Sequence, residues 1–168
     1  MNLSVCIIAK NEEKNIRRCL ESLKSYNFEI VVVDTGSTDD TEKIAQQYTD
    51  RVYHFQWKNN FSSARNFAIS KSTKTYVMSI DCDECIDYID VKKLQNLLAE
   101  RKKQVGRIKI RNHLTKSGTG QENTEWINRI FSKELFHYEG CIHEQVTAMN
   151  GDCLLYTSDA ADDLLCVD

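Results

Sequence analysis

Short apolar runs alternate with amphipathic segments along the first hundred residues of the chain. Four runs rich in β-branched and other apolar residues have the length and composition of buried strands. These runs are residues 3–9, 29–33, 51–56 and 75–80. The segments between them carry apolar residues at helical spacing, as Ile16, Leu20 and Leu23 do, which is typical of one face of a helix. Helices are therefore predicted over residues 11–25, 41–48, 61–70 and 91–103.

Four strand–helix units in succession predict an α/β fold with a doubly wound, mostly parallel sheet flanked by helices. Continuous apolar strands agree with this, because strands of a parallel sheet are covered on both faces. After residue 103 the alternation weakens. Strands are predicted there at residues 105–110, 127–131 and 141–148, the first two separated by the turn-rich segment "KSGTGQENT".

Composition narrows the class of protein. A length of 168 residues with 41% hydrophobic and 28% charged residues is that of one globular domain. No apolar run reaches the roughly 18 residues of a membrane span, and the N-terminus lacks the features of a signal peptide. We therefore expect no transmembrane segment and a cytoplasmic location, either free or peripheral at the inner face of the membrane. The net charge of −3 is close to neutral, whereas a dedicated nucleic-acid binder would carry a basic stripe, so nucleic acid is not expected as a partner.

The last sixteen residues, "CLLYTSDAADDLLCVD", differ from the rest of the chain. They contain no Lys or Arg and resemble a translated sequencing adapter, a kind of segment that is excluded from fold reasoning. Residues 1–152 are therefore taken as the domain and 153–168 as a non-native tail, with a genuine acidic C-terminal helix as the alternative. Without the four aspartates of the tail the formal charge rises from −3 to +1, and five cysteines remain. We expect a domain truncated at this end, with reduced thiols.

Polar residues follow three of the predicted strands directly. The first strand ends in "AKNEE", the second in "DTGSTDD" and the fourth in "DCDE". Ligands of doubly wound sheets bind beyond the carboxyl ends of the strands, so these residues are the ones expected to meet a ligand. A single acid at a strand end is more often part of a turn or a helix cap, but three strands delivering polar groups to one edge favour a site.

The segment after the second strand has both a structural and a functional interpretation. Gly36 permits a tight turn, and Ser37, Thr38 or Asp39 can cap the next helix. Asp34 is not needed for that turn, and its carboxylate could accept hydrogen bonds from a base or a sugar. The chain has neither the G-x-G-x-x-G nor the G-x-x-x-x-G-K-[ST] pattern, so a dinucleotide site or a P-loop is not supported.

The acids after the fourth strand indicate a metal site. Asp81 and Asp83 are two residues apart, and both can reach one ion where the chain leaves the strand. Mg²⁺ and Mn²⁺ prefer such carboxylate oxygens, together with the phosphates of a substrate. The competing interpretation is a zinc or redox pair of Cys82 and Cys85, but structural zinc generally needs a second pair of ligands at matching spacing.

Four segments in order carry a family resemblance. They are "SVCIIAKNEEKNIRRCLESL", "EIVVVDTGSTDDTEKIA", "FQWKNNFSSARNFAI" and "YVMSIDCDECID". Together they resemble glycosyltransferase family 2, whose fold is GT-A. The resemblance is closest to a bacterial branch of lipopolysaccharide-core glucosyltransferase-like proteins, peptide S-glycosyltransferases and tetratricopeptide-repeat glycosyltransferases. It is strong over residues 3–87 and looser from about residue 105 onward.

The resemblance implies a nucleotide-sugar donor, usually a UDP-sugar, and a divalent cation, Mn²⁺ or Mg²⁺. Asp34 would hydrogen-bond the uracil, and Asp81 and Asp83 would form the D-x-D pair, with Asp83 the more direct ligand of the metal. The middle position of that pair is often Ala or Ser in the family, and Cys82 is interpreted as a small buried residue. Arg65 would contact a phosphate, or would otherwise be a solvated helix-surface arginine. The full donor-binding set implied is Ala9, Lys10, Asn11, Glu12, Asp34, Ser37, Ala64, Arg65, Asn66, Asp81 and Arg129.

The segment "WINRIFSKELFHYEGCIHEQV" resembles the second block of that branch, on the acceptor side. Family 2 enzymes generally invert configuration by direct displacement, so a base takes the proton of the acceptor. Glu144 is the first candidate for this base and Glu139 the second. His143 is a candidate contact of the diphosphate or the metal. Without the family match, a His–Glu pair is more often part of a surface turn.

The sequence thus predicts a metal-dependent inverting glycosyltransferase, with a donor half at residues 1–87 and an acceptor-side half at 88–152. Its acceptor would be a glycan, a lipid-linked molecule or a peptide, in the context of bacterial cell-envelope glycan synthesis. One alternative is a GT-A domain that binds a nucleotide-sugar without catalysis. The other is a sugar-phosphate nucleotidylyltransferase, which would be expected to carry a glycine-rich loop where this chain has "AKNEE".

Overall fold

The computed structural model describes residues 1–101, 103–113, 122–150, 155–156 and 165–167. The helices are α1 Ile16–Leu23, α2 Thr41–Ala45, α3 Phe61–Lys71 and α4 Val91–Glu100. The strands of the first half are β1 Leu3–Ala9, β2 Glu29–Asp34, β3 Val52–His54, β4 Tyr76–Asp81 and β5 Ile86–Ile89. Those of the second half are β6 Gln104–His113, β7 Glu122–Ser132, β8 Phe136–Glu139, β9 Gln145–Ala148, β10 Leu155–Tyr156 and β11 Leu165–Val167. None of the described helices is long and apolar enough to cross a membrane.

The central sheet has the strand order β3-β2-β1-β4-β7-β6-β11-β5. Strands β1 to β4 pair in parallel, whereas β7 lies antiparallel between β4 and β6. The register aligns Ala9 with Asp34 and Ile8 with Asp81, so three strands end at the same level. The predicted mostly parallel α/β sheet is confirmed, and its carboxyl edge is where the three polar segments meet.

The core lies on both faces of the parallel strands. On one face, Ile16, Cys19, Leu20 and Leu23 of α1 are fully buried. On the other, the Ala68 side of α3 packs against the alternate residues of β1 and β2 and against Phe131 of β7. Burial on both faces accounts for the continuous apolar strands of the sequence.

Some element boundaries differ from the prediction. Helix α1 begins at Ile16 rather than at residue 11. Asn11 has a φ of 55°, and the N–H groups of Asn11 and Glu12 donate to the side chains of Ser37 and Thr41 instead of continuing a helix. Helix α3 begins at the predicted residue and is capped by Asn60, whose side chain accepts from the Ser63 N–H. The predicted strand at 141–148 is shorter, and β5 and β8 were not predicted.

The short strands β10 and β11 come from the final sixteen residues. Strand β10 pairs with β6, and β11 pairs with both β6 and β5. Pairing of a strand does not reveal its origin, so the adapter origin of residues 153–168 stays a prediction. The boundary between the donor half and the acceptor-side half likewise stays a prediction.

Candidate active site

A cleft of about 660 Å³ opens at the carboxyl ends of β1 and β4. The turn between β8 and β9 and the segment that precedes α3 form its other walls. Its lining residues are Ile8, Ala9, Lys10, Glu12, Thr35, Trp57, Phe61, Arg65, Asp81, Cys82, Asp83, Ile142, His143 and Glu144. This size is within the usual range for small-molecule sites.

The loops after β1 and β2 brace each other at the edge of the cleft. The Asn11 N–H donates to Ser37 Oγ at 2.9 Å, and the Thr38 N–H donates to Asn11 Oδ1 at 2.8 Å. The Glu12 N–H donates to the Thr41 hydroxyl at 2.7 Å. Ser37 thus holds the neighbouring loop instead of capping α2, and the cleft wall at Ala9 to Glu12 is fixed in place.

Asp34 is buried at the end of β2. Its Oδ2 accepts from the Gly36 and Ser37 N–H groups, each at 3.0 Å, in a turn that Gly36 enters with a φ of 106°. Its Oδ1 is buried and has no hydrogen-bond partner among the described residues. The prediction that the turn does not need Asp34 is therefore wrong, because Oδ2 builds that turn, while Oδ1 has no partner among the described residues.

Two buried arginines clamp Asp81. Arg65 Nη2 lies 2.8 Å from Asp81 Oδ1, and Arg129 Nη2 lies 2.9 Å from Asp81 Oδ2. Burial by itself would raise the pKa of Asp81, but the two guanidinium groups outweigh it and hold that pKa below its ordinary value. Asp81 is therefore an ionised carboxylate with both oxygens engaged.

Arg65 projects from α3 and serves three acceptors. Its Nη1 donates to Ser79 Oγ at 2.8 Å, and its Nε donates to Glu144 Oε1 at 2.5 Å, in addition to the bond with Asp81. Burial disfavours the charge, yet the surrounding carboxylates raise the pKa of Arg65 above its ordinary value. The solvated helix-surface interpretation of Arg65 is wrong, since the side chain is only 7% exposed.

Glu84 is a site residue to which no role was assigned from the sequence. Its Oε2 accepts from the Asp81 N–H at 2.8 Å, and its Oε1 lies 3.1 Å from Arg129 Nη2. Burial raises the pKa of Glu84 despite the attraction of Arg129. Sequence spacing could have indicated Glu84 and Ser79 as site residues. Glu84 is three residues after Asp81, and Ser79 is two residues before Asp81 on the same face of β4.

Asp83 and His143 face the cleft from opposite segments. Asp83 is exposed in the turn after β4, and His143, with a φ of 59°, is exposed in the turn before β9. Among the residues that the structure describes, no three of His, Cys, Asp and Glu form a metal-binding cluster. A cation at this edge would therefore rest on Asp83 with oxygens from a bound ligand, because both oxygens of Asp81 are held by arginines.

Cys82 does not have the environment of a reactive thiol. Cys82 is buried, and its thiol lies 3.4 Å from the Ile8 carbonyl. Burial, followed by neighbouring ionisable groups such as Cys19 and Glu12, raises the pKa of the Cys82 thiol far above its ordinary value. A thiol of this kind is a poor nucleophile and a poor metal ligand. The interpretation of Cys82 as a small buried residue agrees with these contacts.

The predicted site residues divide into two groups. The cleft brings together Ala9, Lys10, Glu12, Arg65, Asp81, Asp83, His143 and Glu144. It is not lined by Asn11, Asp34, Ser37, Ala64, Asn66, Arg129 or Glu139. Asn66 bonds through its side chain to the backbone N–H and carbonyl of Tyr138, at 2.9 and 2.8 Å. Glu139 pairs with His137 at 2.9 Å.

Comparison with known proteins supplies independent information. The model of glycosyl transferase family 2 matches residues 4–165. The lipopolysaccharide core biosynthesis glycosyltransferase LpsC of Rhizobium meliloti (strain 1021) is 35% identical, over 72% of this chain and 46% of that protein. The SPbeta prophage-derived glycosyltransferase SunS of Bacillus subtilis (strain 168) is 43% identical, over 46% of this chain and 19% of that protein.

A solved structure is also similar. The crystal structure of S. aureus TarS 1-349 in complex with UDP-GlcNAc superposes with a TM-score of 0.56 at 25% identity, covering 72% of this chain and 37% of that one. The chain spans less than half the length of the two curated relatives described above.

Proposed function

The chain belongs to glycosyl transferase family 2, and on this premise we propose that it transfers a sugar from a UDP-sugar to an acceptor with inversion, using a divalent cation. One observation carries the proposal. Asp83, the buried Arg65 and Glu144 all line the cleft at the carboxyl ends of β1 and β4, and this common location supports the roles proposed for them.

The donor side of the cleft suits a nucleoside diphosphate. Lys10 supplies an exposed positive charge, and Arg65 is a buried one. Asp34 does not line the cleft, and it is proposed as the acceptor for a uracil N–H because of the family resemblance and because its Oδ1 has no partner among the described residues. The likeness to TarS, whose structure holds UDP-GlcNAc, supports a uridine nucleotide.

The residues present fit a divalent cation bound together with a diphosphate. Asp83 offers an exposed carboxylate at the cleft, and Asp81 remains close as an ionised group that arginines hold in place. Mn²⁺ or Mg²⁺ needs only one or two protein carboxylates when phosphate oxygens complete its shell. When bound, the cation stabilises the negative charge that develops on the departing diphosphate. His143 is a further cleft residue within the same wall as Glu144.

The transfer is a single displacement at the anomeric carbon of the donor sugar. The bond from this carbon to the diphosphate oxygen breaks, a bond to the acceptor oxygen or sulfur forms, and UDP leaves with the electron pair. Glu144 takes the proton of the acceptor, because it lines the cleft whereas Glu139 does not. Arg65 orients Glu144 through its Nε and Asp81 through its Nη2.

The acceptor is proposed to be a glycan, a lipid-linked molecule or a peptide, in a cytoplasmic setting. The similarity to LpsC, described as a lipopolysaccharide core biosynthesis glycosyltransferase, supports a role in envelope glycans. The similarity to the glycosyltransferase SunS covers only 46% of this chain, so the acceptor class rests on the family branch as a whole.

Release of UDP from UDP-glucose and UDP-N-acetylglucosamine tests the proposal directly. We expect slow release of UDP that requires Mn²⁺ or Mg²⁺, and a rate of release about 100-fold lower in Glu144→Gln. The exposed Glu134→Gln variant serves as the matched control and should stay within twofold. A loss in Glu139→Gln instead would reassign the base, and a chain that releases no UDP from any donor would contradict the proposed function.

A further inference from the structure

One wall of the cleft is apolar and has no role in the transfer described above. It consists of Trp57, Phe61 and Ile142, called here the apolar wall. The rings of Trp57 and Phe61 meet edge to face, with centroids 4.8 Å apart. Phe61 is 40% exposed and Ile142 68% exposed. Large apolar side chains left uncovered inside a cleft are typical of a surface that a ligand covers.

The apolar wall is held in position by hydrogen bonds. The Trp57 indole N–H donates to Asn59 Oδ1 at 2.9 Å, and Asn59 adopts a left-handed backbone with a φ of 54°. The Phe61 N–H donates to the Cys141 carbonyl at 3.1 Å, which brings the start of α3 beside Ile142. A non-glycine residue in this backbone region carries a conformational cost, and such costs cluster at ligand sites. The wall is therefore a preorganised surface.

Its neighbours indicate the class of ligand. Ile142 is two residues before Glu144, the proposed base, in a turn that Gly140 and His143 enter with positive φ. The charged residues Lys10, Asp81 and Asp83 lie on other segments of the same cleft. A pyranose ring has C–H groups on one face and hydroxyl groups at its edge. It can therefore cover an aromatic pair while it bonds to a carboxylate and an imidazole.

We propose that the apolar wall binds the C–H face of a sugar ring and so sets which sugars react beside Glu144. This proposal rests on the proposed function, since it assigns a subsite of that reaction. The ring belongs either to the donor or to the acceptor, and both sources have the same chemistry. The indole N–H is already bonded to Asn59, which leaves the ring face of Trp57 for stacking.

Trp57 reports on its own environment once Trp126, the other tryptophan of the chain, is replaced. In the Trp126→Phe background, the emission of Trp57 is followed during titration with UDP, with UDP-glucose and UDP-N-acetylglucosamine, and with methyl glucoside in the presence of UDP. A donor ring on the wall predicts a change of emission with the UDP-sugars that exceeds the change with UDP. An acceptor ring predicts that the methyl glucoside produces the extra change.

Substitutions test the same wall by affinity. We expect Phe61→Ala and Ile142→Ser to weaken the binding of the responding sugar about fivefold, the loss that a few tens of Å² of apolar contact gives. The affinity for UDP should stay within twofold. Met149→Ser is the matched control, because Met149 is 49% exposed but does not line the cleft.

The outcomes separate this proposal from the proposed function. If UDP binds and no sugar changes the emission of Trp57, the wall is not a sugar subsite, although the nucleotide site stands. A full change of Trp57 emission with UDP alone also overturns the proposal, since the apolar wall would then hold the uracil ring and not a sugar. If the methyl glucoside changes the emission of Trp57 while UDP does not bind, the apolar wall is a sugar subsite and the assignment of the nucleotide site is wrong.

Discussion

Single side chains decide the electrostatics of the cleft. Glu84, Arg129, Asp81, Arg65 and Glu144 form one continuous chain of ion pairs, with contacts between 2.5 and 3.1 Å. With three acids and two arginines, this group of ion pairs carries one excess negative charge, and the exposed Asp83 lies beside it. A site with such an excess favours a cation, and the pairing fixes the acids before any ligand arrives.

Arg65 is the member of this chain whose loss should cost the most stability. Arg65→Ala leaves Asp81 and Glu144 without their shared partner, and breaking a buried pair in this way typically costs about 3–5 kcal/mol. Urea unfolding measures the change. The exposed pair of Lys43 and Asp40 gives the control, since Lys43→Ala should leave the midpoint of urea unfolding nearly unchanged. A loss below about 1 kcal/mol for Arg65→Ala would mean that the chain of ion pairs contributes little to the fold.

Glu29 should make stability depend on pH at the opposite edge of the sheet. It accepts from the Ser4 hydroxyl at 2.6 Å and from the Thr73 N–H at 2.7 Å. Burial alone would raise the pKa of Glu29, but these bonds, those of the Thr73 hydroxyl and the charge of Arg51 lower it below the ordinary 4.5. The stabilisation is therefore present above about pH 4.5 and is lost as the pH falls through the lowered pKa.

Comparison of the wild type with Glu29→Gln measures this dependence. We expect a difference of about 2 kcal/mol in the free energy of unfolding at pH 7, which shrinks below about pH 4.5. The exposed Glu134→Gln should remain within about 0.5 kcal/mol of the wild type at pH 7. A difference for Glu29→Gln that is the same at pH 7 and pH 3 would contradict the assignment.

At the scale of elements, strands and helices were predictable where the hydrophobic pattern was long and regular. β1, β2, β4 and α3 lie where the pattern placed them, within one residue at each end. β5 and β8 have only four residues each, too few for a period to be recognised. The start of α1 depends on contacts with a loop 26 residues away, which a local pattern does not contain.

The site was predictable from sequence in part for the same reason. Asp34, Asp81 and Asp83 follow apolar strands, so their common edge was foreseen. The roles of Glu84 and Ser79 depend on which arginines reach Asp81, and those arginines come from α3 and β7. The apolar wall joins Trp57 and Phe61 with Ile142, more than 80 residues away in the chain. Contacts of this range are set by the fold as a whole.

Asn66 should act mainly as a link between α3 and β8. Its side chain accepts from the Tyr138 N–H and donates to the Tyr138 carbonyl. Asn66→Ala removes both bonds and should cost about 2 kcal/mol in the free energy of unfolding. The rate of hydrogen exchange at the Tyr138 amide should rise by the factor that corresponds to this loss of free energy.

The control for this prediction is on the same helix. Ser70→Ala removes only a bond to the Phe67 carbonyl of α3 and should change stability by less than about 0.5 kcal/mol. If Asn66→Ala weakens UDP binding tenfold while stability is unchanged, Asn66 serves the donor site and the structural role is wrong.

At the scale of the whole molecule, the cleft depends on both parts of the sheet. The parallel strands β1, β2 and β4 supply the carboxyl edge, whereas Arg129 comes from the antiparallel β7 and Glu144 from the turn before β9. The buried Arg65 and Arg129 join these parts at Asp81. We therefore expect the cleft to form only when the full sheet does, so changes in β7 should alter nucleotide binding as well as stability.

We propose that the carboxyl edge of the sheet binds a nucleoside diphosphate together with a cation on Asp83. Calorimetry of UDP binding, with and without Mn²⁺, on the wild-type chain and on Asp83→Ala tests this binding mode. We expect UDP to bind at least tenfold tighter with Mn²⁺, and we expect Asp83→Ala to lose that gain while the exposed Asp87→Ala keeps it. UDP binding that ignores both Mn²⁺ and Asp83 would contradict it.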